Sequence, residues 1–540
     1  MSKKTFLLVV VLPVVLLGLT AGCRDGLRTP KFESTLYWNL SSSGPKTIDP
    51  CLNGATDGGD VICNLYEGLI REQAGVIKFG IAESWDISND GKTVTFNLRD
   101  SRWSDGSKLT AHDFEYSWKR GMNPETASEY AWIWEYTNIV GAEAAVNGEG
   151  SLEDVGIKVL DDNTLQVELI RPTEYFVSLM SFYHFMPVKQ SSVEAGPDGL
   201  WARDPELAIS NGPFKLTGYQ IGKGLSMEKN RHYWKADEVK LSAIEVAFID
   251  DLTTAYTAYQ AGEFDFINDV PPSEIPRLVA EDPEFYIFPL LGTYYYNFNL
   301  DLDMWKDERV RRAFVLAIDR EKISEIQGRG NIPATGFVPP GFTDHERRDF
   351  AATAADHGVP TDGSQIEEAK RLLAEAGYPN GEGFPEFTIM YNTSERHQVV
   401  AEMVQEMWKT NLGIETVLEN QEWAVFQDTR KVGDYEVARG GWLTDFMDPM
   451  GLLAIFVTGN TYNDPNYSNS SYDAFLTKAN ETIGAEHFDA LHDAEEILMS
   501  DLPIVPVHYY TEIYLSSPQV KNWTRSVLSA LDFSAAYMER

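Results

Sequence analysis

Two periods of apolar residues run through this chain. Strict alternation, the mark of a half-buried strand, appears at 93–98 through Val94, Phe96 and Leu98, after the turn Asn89-Asp90-Gly91. It recurs at 164–169 after Asp161-Asp162-Asn163. Apolar or aromatic runs at 35–40, 244–249, 293–300, 387–391, 504–507 and 513–515 predict further strands. The helical period appears at 61–70, closed by Gly68, at 253–261, stopped by Gly262, and at 307–322, with Val310, Phe314 and Ile318 on one face. It returns at 366–376, closed by Gly377, and at 397–412. Thr110 with Asp113 three residues on predicts a capped helix start. The Gly/Asp-rich stretch 53–60 reads as a loop. Strand and helix alternate from 366 to 418, which predicts an α/β arrangement.

With 540 residues the chain exceeds one core and implies two to four domains. Hydrophobic content of 43% and aromatic content of 12% belong to a folded protein. A formal net charge of -37 excludes a basic nucleic-acid footprint and a polybasic membrane patch. The N-terminus does change the picture. Lys3-Lys4 precede an apolar run from Phe6 to Leu19, too short to span a bilayer, which ends at Leu19-Thr20-Ala21-Gly22-Cys23. Residues 1–22 are therefore expected to be a signal peptide, with Cys23 the lipidated first residue of an exported protein; ordinary cleavage nearby is the alternative. Two cysteines then remain, Cys51 and Cys63, and an even pair in an oxidising compartment suggests a disulfide, with two buried free thiols as the alternative.

Catalytic motifs are missing. There is no phosphate-binding lysine loop, nucleophile elbow, zinc-protease helix or dinucleotide fingerprint, and His487 and His492 are five apart, off one helical face. No metal site or cofactor is expected. One stretch, 437–449, conflicts with itself: a strand-like entry, then Gly440-Gly441, Trp442, and Asp445 alone among apolar neighbours. Glycines admit close approach, and a carboxylate in apolar company needs a cation or donors. The stretch reads as a docking place with a positive group landing on Asp445, a capped strand end being the alternative.

An ordered series of short motifs spans the chain: Asn64-Leu65-Tyr66-Glu67-Gly68-Leu69, Ala82-Glu83-Ser84-Trp85, Trp103-Ser104-Asp105-Gly106, Ser210-Asn211-Gly212-Pro213-Phe214, Glu308-Arg309-Val310-Arg311-Arg312-Ala313 and Ile504-Val505-Pro506-Val507. With these the chain, from about 40 to about 515, resembles the periplasmic oligopeptide-binding proteins of ATP-driven importers, the peptide/nickel solute-binding family. The resemblance implies an α/β, two-lobed periplasmic-binding-protein fold (type II, cluster C) with an additional inserted domain. It implies lobe I at 23–66, 190–291 and 512–540, an inserted domain at 67–189 and lobe III at 292–511. It further implies a monomer that binds short peptides between the lobes and delivers them to the permease subunits of an ABC transporter.

The residue roles that follow are implications of that resemblance. Asp445 pairs with the peptide amine, helped by Tyr130. Gly440, Gly441, Trp442 and Leu443 form the strand that pairs with the peptide backbone. Arg439 and His397 are cations for the peptide carboxylate. Asn392, Trp423, Arg430, Tyr295 and Tyr510 line pockets, and Gly54, Ala55 and Thr56 face the peptide. Gly54 departs from relatives that carry an acid there, and 325–329 lacks a lysine found in some of them. Alternatives are a same-family receptor for a murein peptide, nickel chelate or signal peptide, and an exported hydrolase.

Overall fold

The computed structural model describes residues 34–540 apart from Ala74 and Ser529. The signal-like segment and Cys23 lie outside the described residues. One sheet of eleven strands organises the rest. Ten of them are β1 (Thr35–Asn39), β2 (Phe214–Gln220), β3 (Gly224–Lys229), β4 (Ala243–Ala247), β5 (Phe266–Ile267), β6 (Phe285–Phe298), β7 (Phe387–Asn392), β8 (Thr416–Gln421), β9 (Val437–Leu443) and β10 (Ile504–Ser516). Their order is β2-β3-β4-β1-β5-β10-β6-β9-β7-β8, with the short strand Ile332–Pro333 also on β10.

Strands before residue 290 gather on one side and strands after it on the other. Among the described residues only β6 and β10 pass through both, at 14 and 13 residues. They pair antiparallel from Phe285 with Leu515 to Asn297 with Ile504, and the register shifts between Pro289 and Thr293. Proline has no N–H to give the ladder, so the irregularity sits where the pairing is weakest. Beneath β7, Trp305, Phe314, Phe387 and Trp408 form a buried edge-to-face cluster with centroids about 5–6 Å apart. A separate four-stranded antiparallel sheet (82–87, 93–98, 164–168, 157–161) carries the helix Ala111–Met122. The expected capping box is present: Thr110 N donates to Asp113 at 2.7 Å.

Some expectations fail for local reasons. The helix expected at 61–70 is α1 (Thr56–Leu65), and the Gly/Asp-rich loop supplies its first turn. Gly58 permits this, because a Cβ there would lie 2.0 Å from Asn53 Oδ1. The single helix expected at 307–322 is two, Glu308–Leu316 and Arg320–Gln327. Asp319 caps the second, and the fully buried Arg320 donates to the carbonyls of Pro506, Val315, Ile318 and Pro360. The two late strands are one, β10.

The Cys51–Cys63 bridge is also corrected: both are free thiols. Cys51 sits in the turn closed by Asp49, and its carbonyl accepts from Ser128 and contacts His184. Cys63 lies in α1. Cys51 is fixed in that turn while Cys63 is carried on α1, so the two thiols are held on separate elements. Burial pushes both thiols up to about 12.

Candidate functional site

A cavity of about 250 Å³ lies where the two sides of the sheet meet. Its spine is β9. One edge of β9 pairs with β6 along its whole length, from Val437 with Phe298 to Leu443 with Gly292. The other pairs with β7 only at Val437 and Ala438. From Arg439 onward that edge has no strand partner among the described residues, and Arg439, Gly441, Trp442, Leu443, Thr444 and Asp445 line the cavity. An open edge facing a cavity is a template for another backbone.

The paired glycine has a specific cause. A Cβ on Gly440 would lie 2.3 Å from the Tyr295 ring, and one on Gly441 would lie 2.0 Å from Tyr510 Oη. Successive residues of a strand point to opposite faces, so the two glycines admit one tyrosine on each. Close approach was expected from another backbone; aromatic rings make it.

Asp445 is 4% exposed. Tyr130 Oη donates to its Oδ1 at 3.3 Å, and Oδ2 has no partner among the described residues. Burial holds its carboxyl well above the ordinary range, and the Tyr130 hydroxyl opposes this only in part. Tyr130 stacks at 6.1 Å on Trp442, and Tyr462 lies 4.7 Å from Trp442 and 5.3 Å from Tyr130. An anionic group walled by aromatic faces is suited to a cation.

Arg439 supplies the opposite charge. Its Nη2 donates to Tyr510 Oη at 2.5 Å, its guanidinium lies 5.0 Å from the Tyr294 ring centroid, and it forms no ion pair among the described residues. Arg430 is held elsewhere, by Asp464 at 2.8 Å and the Arg439 carbonyl at 3.3 Å. Gly54, Ala55 and Thr56 form part of the wall. A side chain on Gly54 would meet Tyr462 Oη at 3.1 Å and Glu129 Oε2 at 3.3 Å, so other residues fill that space.

Gly54, Ala55, Thr56, Tyr130, Trp423, Arg430, Arg439, Gly441, Trp442, Leu443, Asp445 and Tyr510 thus come together, while Gly440, Tyr295, Asn392 and His397 stay off the cavity wall. Tyr295 packs under Gly440 against Phe337 and Phe456. His397 cannot serve as the expected cation: burial, then the charges of Arg439 and Arg396, hold its imidazole neutral. Its chain neighbour Arg396 reaches the wall instead. Sequence reasoning also missed Gln427, Lys431 and Tyr462. Gln427 had a signal: Trp423, Gln427 and Arg430 are spaced i, i+4, i+7 on one helix, α2 (Trp423–Lys431).

Residues 77–464 match the model of the bacterial extracellular solute-binding proteins, family 5. The chain belongs to this family. It is 34% identical to the oligopeptide-binding protein OppA of Bacillus subtilis, over 97% of this chain and 96% of that one. The structure of Haemophilus influenzae OppA in complex with the peptide RPPGFSPFR superposes with a TM-score of 0.84 at 31% identity, covering 94% of this chain and 100% of the other. The murein tripeptide-binding protein MppA of Escherichia coli gives 0.85 at 32% identity, covering 94% and 99%. Its unliganded open form gives only 0.66 over 94% and 97%. The fold is the two-lobed α/β fold of these periplasmic binding proteins, and the lobes here are not in the open arrangement.

Proposed function

We propose that this family 5 protein captures short peptides with a free N-terminus in the cleft and delivers them to the permease of an ABC importer. The carrying observation is Asp445, a buried carboxylate with no cation of its own among the described residues, at the end of an open strand edge. A peptide pairing with β9 satisfies the edge, its α-ammonium meets Asp445 between Tyr130, Trp442 and Tyr462, and its carboxylate meets Arg439. Charge-assisted contacts in so dry a site are stronger than in water. Backbone pairing plus terminal charges accepts many side chains. The protein acts outside the cytoplasm as a monomer, without cofactor or metal, binds rather than turns over its ligand, and is tethered through lipidated Cys23. Its lobes, divided as the resemblance implies, swing about β6 and β10.

Isothermal titration with mixed tripeptides and their N-acetylated forms tests the reading. Micromolar or tighter binding of the free amines and none of the acetylated forms is expected; equal affinity for both overturns it. Intact-mass measurement of the mature protein checks the lipid.

A further inference from the structure

The cations along the cleft divide into two groups. Arg430 has Asp464 at 2.8 Å, Lys431 has Glu129 at 2.5 Å and Arg71 has Asp532 at 3.0 Å. Arg396 and Arg439 have no carboxylate so close among the described residues. Arg396 stands in the first turn of α3 (Glu395–Leu412), and its Nη1 is 3.6 Å from Asp269, beyond a good hydrogen bond. That carboxylate is already held by Arg329 at 2.5 Å. Arg439 has the Tyr510 hydroxyl but no carboxylate among the described residues.

Asp269 is the one carboxylate paired with these three arginines among the described residues, which leaves two positive charges in excess, and the imidazoles beside them, His397 and His508, are held neutral by burial and by the arginines. The donors are short of acceptors as well: Nε of Arg396, Nε of Arg439 and Nη2 of Arg329 are buried without a partner among the described residues. Buried cationic donors left this way demand an anion. These charges stand apart from the amine end, for Arg439 lies toward the start of β9 and Asp445 beyond its last residue.

A main-chain carboxylate brings one negative charge to a place with two in excess. We propose that Arg396 and Arg439 together form a seat for two carboxylates, so that the preferred peptides end in an acidic residue, its side chain on Arg396 and its main-chain carboxylate on Arg439. This inference rests on the peptide-binding reading of the same cleft. It assigns Arg396 as a specificity-determining residue, in the place where the neutral His397 cannot act.

The test is calorimetric affinity for Ala-Ala-Glu against Ala-Ala-Gln, and for Ala-Ala-Ala-Glu against Ala-Ala-Ala-Gln. The members of each pair differ only in the second charge. At least one pair is expected to show about tenfold tighter binding of the Glu-ended member. Arg396→Gln should bring that ratio near one and Arg396→Lys should retain part of it. Equal affinity within each pair in the wild-type protein overturns the inference and leaves the peptide reading standing, as does a tenfold ratio that survives Arg396→Gln. Binding of none of the four overturns both.

Discussion

Asp448 accepts a hydrogen bond from His487 Nε2 at 3.0 Å, and Nδ1 of the same imidazole donates to the Ala479 carbonyl at 2.7 Å. One charged ring thus ties the loop that carries Asp445 to the end of the helix Ser470–Glu481. Asn480, next in that helix, accepts from Asn138 at 3.0 Å and Tyr175 at 3.1 Å, and Tyr175 stacks on Phe446 at 4.8 Å.

The His487 pair makes stability fall in alkali. Burial opposes the charge, but Asp448 outweighs it and raises the imidazole to about 9. A raised folded pKa gives stability that is complete below the unfolded value near 6.5 and lost as pH passes through about 9. Urea unfolding from pH 6 to 10 should show wild type losing on the order of 2–3 kcal/mol that His487→Gln does not lose. At pH 7 that variant should be less stable by about 3 kcal/mol, because Asp448 is left buried and unpaired.

Asp445→Asn should have opposite effects on binding and folding. Affinity for free-amine peptides should fall at least a hundredfold, about 3 kcal/mol, as one member of a buried charge pair is removed. The raised carboxyl pKa means that the folded protein grows less stable as pH rises above about 4. Without ligand at pH 7 the variant should therefore melt at a higher temperature than the wild type. Calorimetry and thermal melting measure the two signs; a lower melting temperature contradicts this electrostatic account.

The two glycines separate by readout. Gly440→Ala drives a methyl into the buried Tyr295 ring and should cost about 1–3 kcal/mol in denaturant titration. Gly441→Ala displaces the Tyr510 hydroxyl and with it the hydrogen bond to Arg439, so affinity should fall about tenfold with a smaller loss of stability.

Mapping Cys51 and Cys63 by alkylation and mass spectrometry should find both modified in denaturant without reductant. In the folded protein both should react slowly, since burial keeps the thiols protonated. Bound peptide should slow Cys63 further, because it lines the cavity.

The site was legible where local chemistry was unusual. Gly440-Gly441-Trp442 and a lone Asp445 contradicted both strand and loop, and that contradiction marked the cleft. Strand 93–98 and the Thr110–Asp113 cap were legible because each depends on neighbours in sequence. What stayed hidden was side-chain direction and distant pairing. Tyr295 was expected in the pocket, but its face of β6 turns to the core. His397 and Arg396 are adjacent, and only the first turn of their helix decides which meets the cavity. Asp269 meets Arg329 across 60 residues, a pairing that no period reveals. The break at Asp319 likewise depends on Arg320 finding the Pro506 carbonyl in β10, far along the chain.

On the proposed role in peptide import, Asp445 also bears on idle running of the importer. Closure around water alone would bury this carboxylate with no cation beside it, so the empty receptor resists the shape that the loaded one adopts. A permease that reads only the closed shape would then seldom be triggered without cargo, and ATP hydrolysis would follow peptide supply rather than receptor abundance. Asp445 Oδ2, without a partner among the described residues, would in this way act as a check on futile transport, with no separate sensor needed.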